Sequence, residues 1–237
     1  YEITTRLVGS EMCIRDRNNR GISEVYVVDN NDTLLQKLCE KENITLKVVD
    51  KKYLEKHFNE HHQNIVAVVP EYTYVDVKEL IKKTSEKKNA AILILDSLED
   101  PHNLGAILRS ADATGVDGII IPKNRSVRLN NTVAKVSTGA IEYVDVALAS
   151  NLVYAINDLK KAGYWVVGLE MEGSIDYRSY DYKGKIAAVI GSEGHGISRL
   201  VKENCDVLVN IPMCGHVNSL NASVSAAIIM YEIFRNR

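Results

Sequence analysis

The chain has 237 residues, 46% hydrophobic and 25% charged, enough apolar material for one large core or two smaller ones. Lysine and arginine number 29 against 31 aspartate and glutamate, a net charge of −2, which excludes a disordered chain and a uniformly basic nucleic-acid coat. No apolar run approaches the ~18–20 residues of a membrane helix. Cys13, Cys39, Cys205 and Cys214 form neither a CxxC pair nor a regular spacing, so a reducing cytoplasm is expected rather than a disulfide scaffold or a zinc ribbon.

The opening stretch, YEITTRLVGSEMCIRDR, has no initiator Met, no sustained period of 2 or 3.6, and no apolar h-region of a signal peptide. Its LVGSEMCIRD resembles a translated sequencing adapter, so residues 1–17 are read as non-native and the first element as cut short. From Gly21 the signals become regular. Strands are predicted at 25–28, 46–49 and 65–69, the last stopped by Pro70, with helices at 33–43 and 51–58 between them. Residues 18–85 thus read as a small α/β domain ending in a helix from 75 that runs into the charged connector KKTSEKKN, with the boundary near 86–90. In the second half, strands are predicted at 91–95, 118–121, 143–146, 164–169, 186–190 and 207–211. Helices are predicted near 103–114, 131–137, 150–162, 197–203 and 220–235. Runs such as AILIL and AAVI lack polar alternation, which indicates a mostly parallel sheet covered on both faces over residues 90–237.

Three segments of this half carry chemistry. In DSLEDPHNLGAILRSADA, Asp100 and Pro101 suit N-cap and N1 of a helix beginning at a strand's carboxyl edge. Leu104, Ile107, Leu108 and Ala111 form its core stripe. Arg109 stands about 140° from Leu104, as a site arginine or an ordinary surface arginine would. IGSEGHG, between a buried strand and a helix, is neither a Walker loop nor a dinucleotide fingerprint, and many such glycine-rich turns only redirect the chain. Its Glu193 would repel a phosphate but could pair with a cation. In NIPMCGHVNSLNASVS, Ser219 or Asn218 can cap a terminal helix whose first turns are small and polar, suited to close approach by a ligand or by another backbone.

Lys123, Arg125, Arg128 and Lys135 lie in a stretch without acids, which could follow a phosphate backbone or be a solvated loop. HFNEHHQ places His57 and His61 at a spacing that suits a helical metal pair, but no second ligand cluster accompanies them. A polar surface is the better reading, and no metal is expected.

Together, NLGAILRSADATGV, VIGSEGHGIS and NIPMCGHVNSLNASVSAA, with KVSTGAIEYV between the first two, resemble the motifs of the SpoU (TrmH) family of RNA ribose 2′-O-methyltransferases, of the SPOUT class, across residues 90–235. The small domain, with HQNIVAVVP, resembles the substrate-binding domain of its large-subunit ribosomal RNA guanosine methylases, Asn64 standing where Gly is usual. The resemblance implies a trefoil-knotted α/β catalytic domain, a homodimer, and S-adenosylmethionine held by backbone groups of Gly191, Ile211 and Leu220. It also implies a catalytic Arg109, paired with Glu193 and supported by Asn103, Ser219 and Asn221; the basic residues of Lys123–Lys135 are the expected phosphate contacts on the ground of their charge. The expected reaction is methyl transfer to a ribose 2′-hydroxyl of 23S ribosomal RNA at a guanosine. A transfer-RNA or resistance-type ribosomal RNA methylase, or a non-catalytic RNA-binding assembly factor, are the alternatives.

Overall fold

The computed structural model describes residues 2–4, 21–29, 32–58, 64–171, 174–216 and 219–237. The suspect segment therefore lies largely outside the described residues, as do His61, His62 and Asn218. In chain order the first elements are β1 (Glu2–Thr4), β2 (Glu24–Val27), α1 (Thr33–Lys41), β3 (Thr45–Val48), α2 (Lys51–His57), β4 (Ile65–Val69) and α3 (Val77–Lys83). There follow β5 (Ala90–Leu95), α4 (Pro101–Thr114), β6 (Gly118–Pro122), α5 (Asn131–Ser137), β7 (Val146–Ala149), α6 (Leu152–Lys161), β8 (Trp165–Leu169) and β9 (Ile175–Asp176). The last are β10 (Lys185–Ile190), α7 (Arg199–Glu203), β11 (Val207–Asn210) and α8 (Ala222–Arg235).

Two compact units result: residues 1–73 with 129–143, and 74–128 with 144–237. The first holds a four-stranded sheet ordered β1-β4-β2-β3, with β4 antiparallel to β1 and β2, and β2 parallel to β3. Val25 and Val27 alternate onto the face that packs against Leu35 and Cys39 of α1. Asp32 and Asp50 accept backbone N–H bonds at the starts of α1 and α2. Residues 2–4, excluded from the fold on sequence grounds, pair with β4.

The second unit is a seven-stranded sheet ordered β7-β6-β5-β10-β8-β11-β9, with every pairing parallel. Ile92 and Ile94 of β5 share a core with Leu80 of α3, Ile156 of α6 and Val201 of α7. On α4, Leu104, Ile107 and Leu108 are fully buried, each removal from water contributing about 1.5–3 kcal/mol. That helix lies along α8.

Several boundaries move for local reasons. The units divide at residues 73 and 74 whereas the charged run points to 86–90, because Val77 and Leu80 of α3 bury into the larger core. The helix predicted from 75 stops at Lys83, where the Thr84 side chain turns back to donate to the Ile81 carbonyl and accepts the Tyr164 hydroxyl at 2.6 Å. The strand predicted at 143–146 starts only at Val146, since residues 140–142 close a 3-10 turn after left-handed Gly139. Helix α8 begins at Ala222, with Asn221 as its cap in place of Ser219 or Asn218.

Candidate active site

In the second unit the loops that leave the carboxyl ends of β8, β10 and β11 meet around one cleft of about 490 Å³. Carboxyl edges of parallel strands are where α/β sheets form ligand sites, because the chain must turn there and expose its backbone N–H groups. Its walls include Leu169 at the end of β8 with Glu170 after it, Gly191 to Gly196 after β10, and Asn210 at the end of β11 with Ile211, Met213, Ser219 and Leu220 after it. The three residues expected to hold a cofactor, Gly191, Ile211 and Leu220, thus face a common space. Its volume and mixed polar and apolar lining suit a nucleoside-sized ligand.

The glycine loop is shaped by backbone contact. Ser192 and Gly196 exchange two main-chain hydrogen bonds, 3.1 and 3.0 Å, which fold the loop onto itself. A Cβ on Gly191 would lie 2.0 Å from the Gly196 carbonyl carbon, so only glycine admits this closure. At the loop's base Asp96, buried at the end of β5, accepts the Ser198 backbone N–H at 2.7 Å, while its own N–H donates to the Ile190 carbonyl. Asp96 therefore ties the ends of β5 and β10 together. Sequence reasoning passed over it, although an acid directly after a wholly buried strand is its signal.

Glu193 projects from this loop into a knot of amides. Its Oε1 accepts Asn103 Nδ2 at 3.0 Å, Asn221 Nδ2 at 2.6 Å and the Ala222 N–H at 3.3 Å. Asn221 Nδ2 also donates to Asn103 Oδ1 at 2.9 Å, and its own Oδ1 caps α8 by accepting from Ser223 and Val224. Three distant segments, the starts of α4 and α8 and the loop after β10, are thus joined through one carboxylate. The structure brings Asn103, Glu193 and Asn221 together, with Ser219 at the cleft wall.

Arg109 stands apart from that arrangement. It is exposed on α4, lines neither this cleft nor the neighbouring cavity, and among the described residues forms no ion pair, so the expected Arg109–Glu193 pair is absent. Glu193 instead turns its Oε1 to three N–H donors, those of Asn103, Asn221 and Ala222. The neighbouring cavity, about 570 Å³, shares Ser192, Glu193, His195 and Gly196 with the cleft and adds Asp96, Glu99, Asp100, Asn103 and Arg125.

Lys123 and Arg125 are exposed, whereas Arg128 donates to the Lys123 carbonyl and lays its guanidinium 5.8 Å from the Tyr74 ring centre. Lys135, on α5, belongs to the other unit. A further cleft residue missed in the sequence is Glu170, whose carboxylate pairs with Lys202 at 3.4 Å and accepts the Met171 N–H at 2.9 Å. Cys205 offers no nucleophile, because burial pushes its thiol up to about 12. Among the described residues no group of three His, Cys, Asp or Glu side chains is placed to hold a metal, and no helix is long and apolar enough to cross a membrane.

Comparison with known proteins gives the site its context. Residues 90–231 match the model of the SpoU rRNA methylase family, and residues 13–75 match that of the RNA 2′-O ribose methyltransferase substrate-binding domain. A TrmH family tRNA/rRNA methyltransferase of Staphylococcus aureus (strain MSSA476) is 52% identical over 202 residues, covering 85% of this chain and 82% of that protein. Among solved structures, an RNA 2′-O ribose methyltransferase is 26% identical with a TM-score of 0.76, covering 99% of this chain and 88% of that one. The AviRb SpoU methyltransferase of Streptomyces viridochromogenes, in complex with S-adenosylmethionine, shares the fold with a TM-score of 0.81 at 22% identity, covering 99% and 90%.

Proposed function

The chain belongs to the SpoU rRNA methylase family, an S-adenosylmethionine-dependent RNA methyltransferase, and we propose that its acceptor is a ribose 2′-hydroxyl of a guanosine in 23S ribosomal RNA. The observation that carries the reading is the convergence of Gly191, Ile211, Ser219 and Leu220 on one cleft whose wall, Glu193, is locked to Asn103 and Asn221. The names of the curated relatives, tRNA/rRNA methyltransferases, leave a transfer RNA as the second target to test.

The residues present fit the cofactor. Gly191, Ile211 and Leu220 would hold it, and when bound it supplies an electrophilic methyl sulfonium. The remaining obstacle is the 2′-hydroxyl, a poor nucleophile at neutral pH until its proton leaves or its developing charge is stabilised. Arg109 supplies that stabilisation in this proposal. A guanidinium is always protonated, so it acts as a fixed positive charge with forked donors rather than as a base. Asn103, Glu193, Ser219 and Asn221 position the cleft walls, with Lys123, Arg125, Arg128 and Lys135 as phosphate contacts.

We also read the chain as a cytoplasmic homodimer. Val224, Tyr231 and Phe234, 47%, 53% and 53% exposed, form an apolar stripe along α8 that supports self-association. As a further part of the proposal, its C-terminal segment is threaded as a trefoil knot. Mapping of 2′-O-methylation in 23S and transfer RNA, with and without the gene, tests the target. Arg109→Ala should abolish transfer with S-adenosylmethionine affinity within twofold of wild type. Retained transfer by the folded variant would remove Arg109 from the reaction, and a monomer in sedimentation at micromolar concentration would remove the dimer.

A further inference from the structure

On the first unit, three aromatic rings stand in a column. Tyr26 of β2 lies 6.0 Å from Tyr53 of α2, centre to centre and only 19° from parallel, and Tyr53 lies 4.5 Å from His57 at 36°. Phe58 closes the inner side, 5.2 Å from Tyr26. The inner end is fixed chemically: Lys47 Nζ sits 5.1 Å from the Tyr26 ring centre and 2.6 Å from Glu24, which also accepts the Tyr26 hydroxyl at 2.7 Å. The outer end is open, with Tyr53 40% exposed and His57 exposed.

Helix geometry adds a second row. Tyr53 and His57 are one turn apart on α2, and Lys52 and Lys56 form the row about 100° around the same helix. Lys51 spends its charge on Glu55 at 3.7 Å, and Lys47 on Glu24, but Lys52 and Lys56 carry no ion pair among the described residues. A row of π faces ending in solvent, beside a row of uncommitted cations, matches the alternation of base and phosphate along an unpaired nucleic-acid strand. A folded protein partner would have no use for that alternation, whereas each base has a π face that can extend the column.

From this juxtaposition we propose that α2 is a single-stranded RNA contact: an unpaired base stacks on the Tyr53–His57 end of the column while Lys52 and Lys56 meet the flanking phosphates. The inference rests on the reading of the chain as an RNA methyltransferase and says where its first unit grips the substrate. It also assigns a role to His57, whose spacing in the sequence first suggests a metal pair.

The test uses the full chain and a short fluorescein-labelled single-stranded RNA carrying one 5-iodouridine. Photocrosslinks should map to the peptide spanning residues 51–58. Tyr53→Leu, which keeps apolar bulk on α2 but removes the ring, should weaken binding about fivefold or more, and Tyr53→Phe should restore it. Lys52→Glu with Lys56→Glu should weaken binding further at low salt and flatten its salt dependence. S-adenosylmethionine affinity, read by calorimetry, should stay unchanged in every variant. Crosslinks confined to other peptides, or equal affinity of wild type and Tyr53→Leu, overturn the proposal while leaving the methyltransferase reading intact. Failure of the wild-type chain to bind any RNA overturns both.

Discussion

The shortest route to the cleft wall is a single methyl group at Gly191. In Gly191→Ala the new Cβ would sit 2.0 Å from the Gly196 carbonyl carbon, 2.2 Å from its oxygen and 2.3 Å from the Ile197 nitrogen, all backbone atoms. Carbon atoms in contact rest about 3.5–4.0 Å apart, so the loop must open by more than an ångström. That movement breaks the two Ser192–Gly196 hydrogen bonds, each worth about 0.5–1.5 kcal/mol net. The cost is then about 1–3 kcal/mol. Because the displaced strand of loop is a wall of the cleft, the cost falls on ligand binding as a loss of about 5–150-fold. Two further glycines calibrate the series. Gly194 has φ +86° with open space around it, so Gly194→Ala costs only the left-handed penalty of about 1–2 kcal/mol. Gly215 has ordinary φ and nothing within 4 Å of a Cβ, so Gly215→Ala should be silent. Calorimetric titration of all three variants with S-adenosylmethionine ranks them. Equal affinity of Gly191→Ala and Gly215→Ala would refute the steric argument.

Three other outcomes are expected. Glu193→Ala strips the buried Asn103 amide of its acceptor and should cost about 1–3 kcal/mol, with Glu193→Gln costing less than half; equal melting temperatures of the two variants would count against the amide knot. Iodoacetamide at pH 8 should modify exposed Cys214 well before Cys205, whose thiol is pushed up to about 12, and S-adenosylmethionine should slow the Cys214 reaction because neighbouring Met213 lines the cleft. The Arg178 guanidinium, 2.5 and 3.0 Å from Asp176, holds that carboxyl down at about 2; the depressed value means the pair contributes above the ordinary carboxylate range and is lost as pH falls through about 2, so carboxyl NMR of Arg178→Ala should return Asp176 toward 3.8, and an unchanged titration would contradict the assigned cause.

The parallel sheet was readable because its strands are buried on both faces, and AILIL or AAVI offer no polar alternation to suggest otherwise. Helix α4 was readable because Asp100, Pro101 and the Leu104–Ile107–Leu108–Ala111 stripe all agree. The cleft was half readable. Glycines and small residues marked the loops, yet nothing local shows that the loops after β8, β10 and β11 meet, since that depends on the strand order β10-β8-β11. Glu170 was missed for the same reason, because its partner Lys202 is distant in sequence, whereas Asp96 has a local signal in the buried strand before it. Strand β9 was too short for any period to show. The connector misled through composition: KKTSEKKN looks like a linker, but Thr84 inside it is buried and bonded to Tyr164.

The absence of an Arg109–Glu193 pair bears on the role proposed for Arg109. A carboxylate bonded to Arg109 would screen the guanidinium and occupy part of its donor fork, weakening its pull on an oxygen that gains negative charge. Glu193 instead gives its Oε1 to Asn103, Asn221 and Ala222. The acid holds three segments in place, which in the proposed reaction leaves the charge of Arg109 for the acceptor oxygen. The two residues then share no partner, so their effects on unfolding free energy should add to within about 0.5 kcal/mol. A double-mutant cycle of Arg109→Ala and Glu193→Ala, followed by chemical denaturation, measures this directly. In it Arg109→Ala should be nearly silent for stability, because the side chain is exposed and has no ion pair among the described residues, and Glu193→Ala should carry the whole cost. A coupling above about 1 kcal/mol would restore the pair and return Glu193 to the role of holding the arginine.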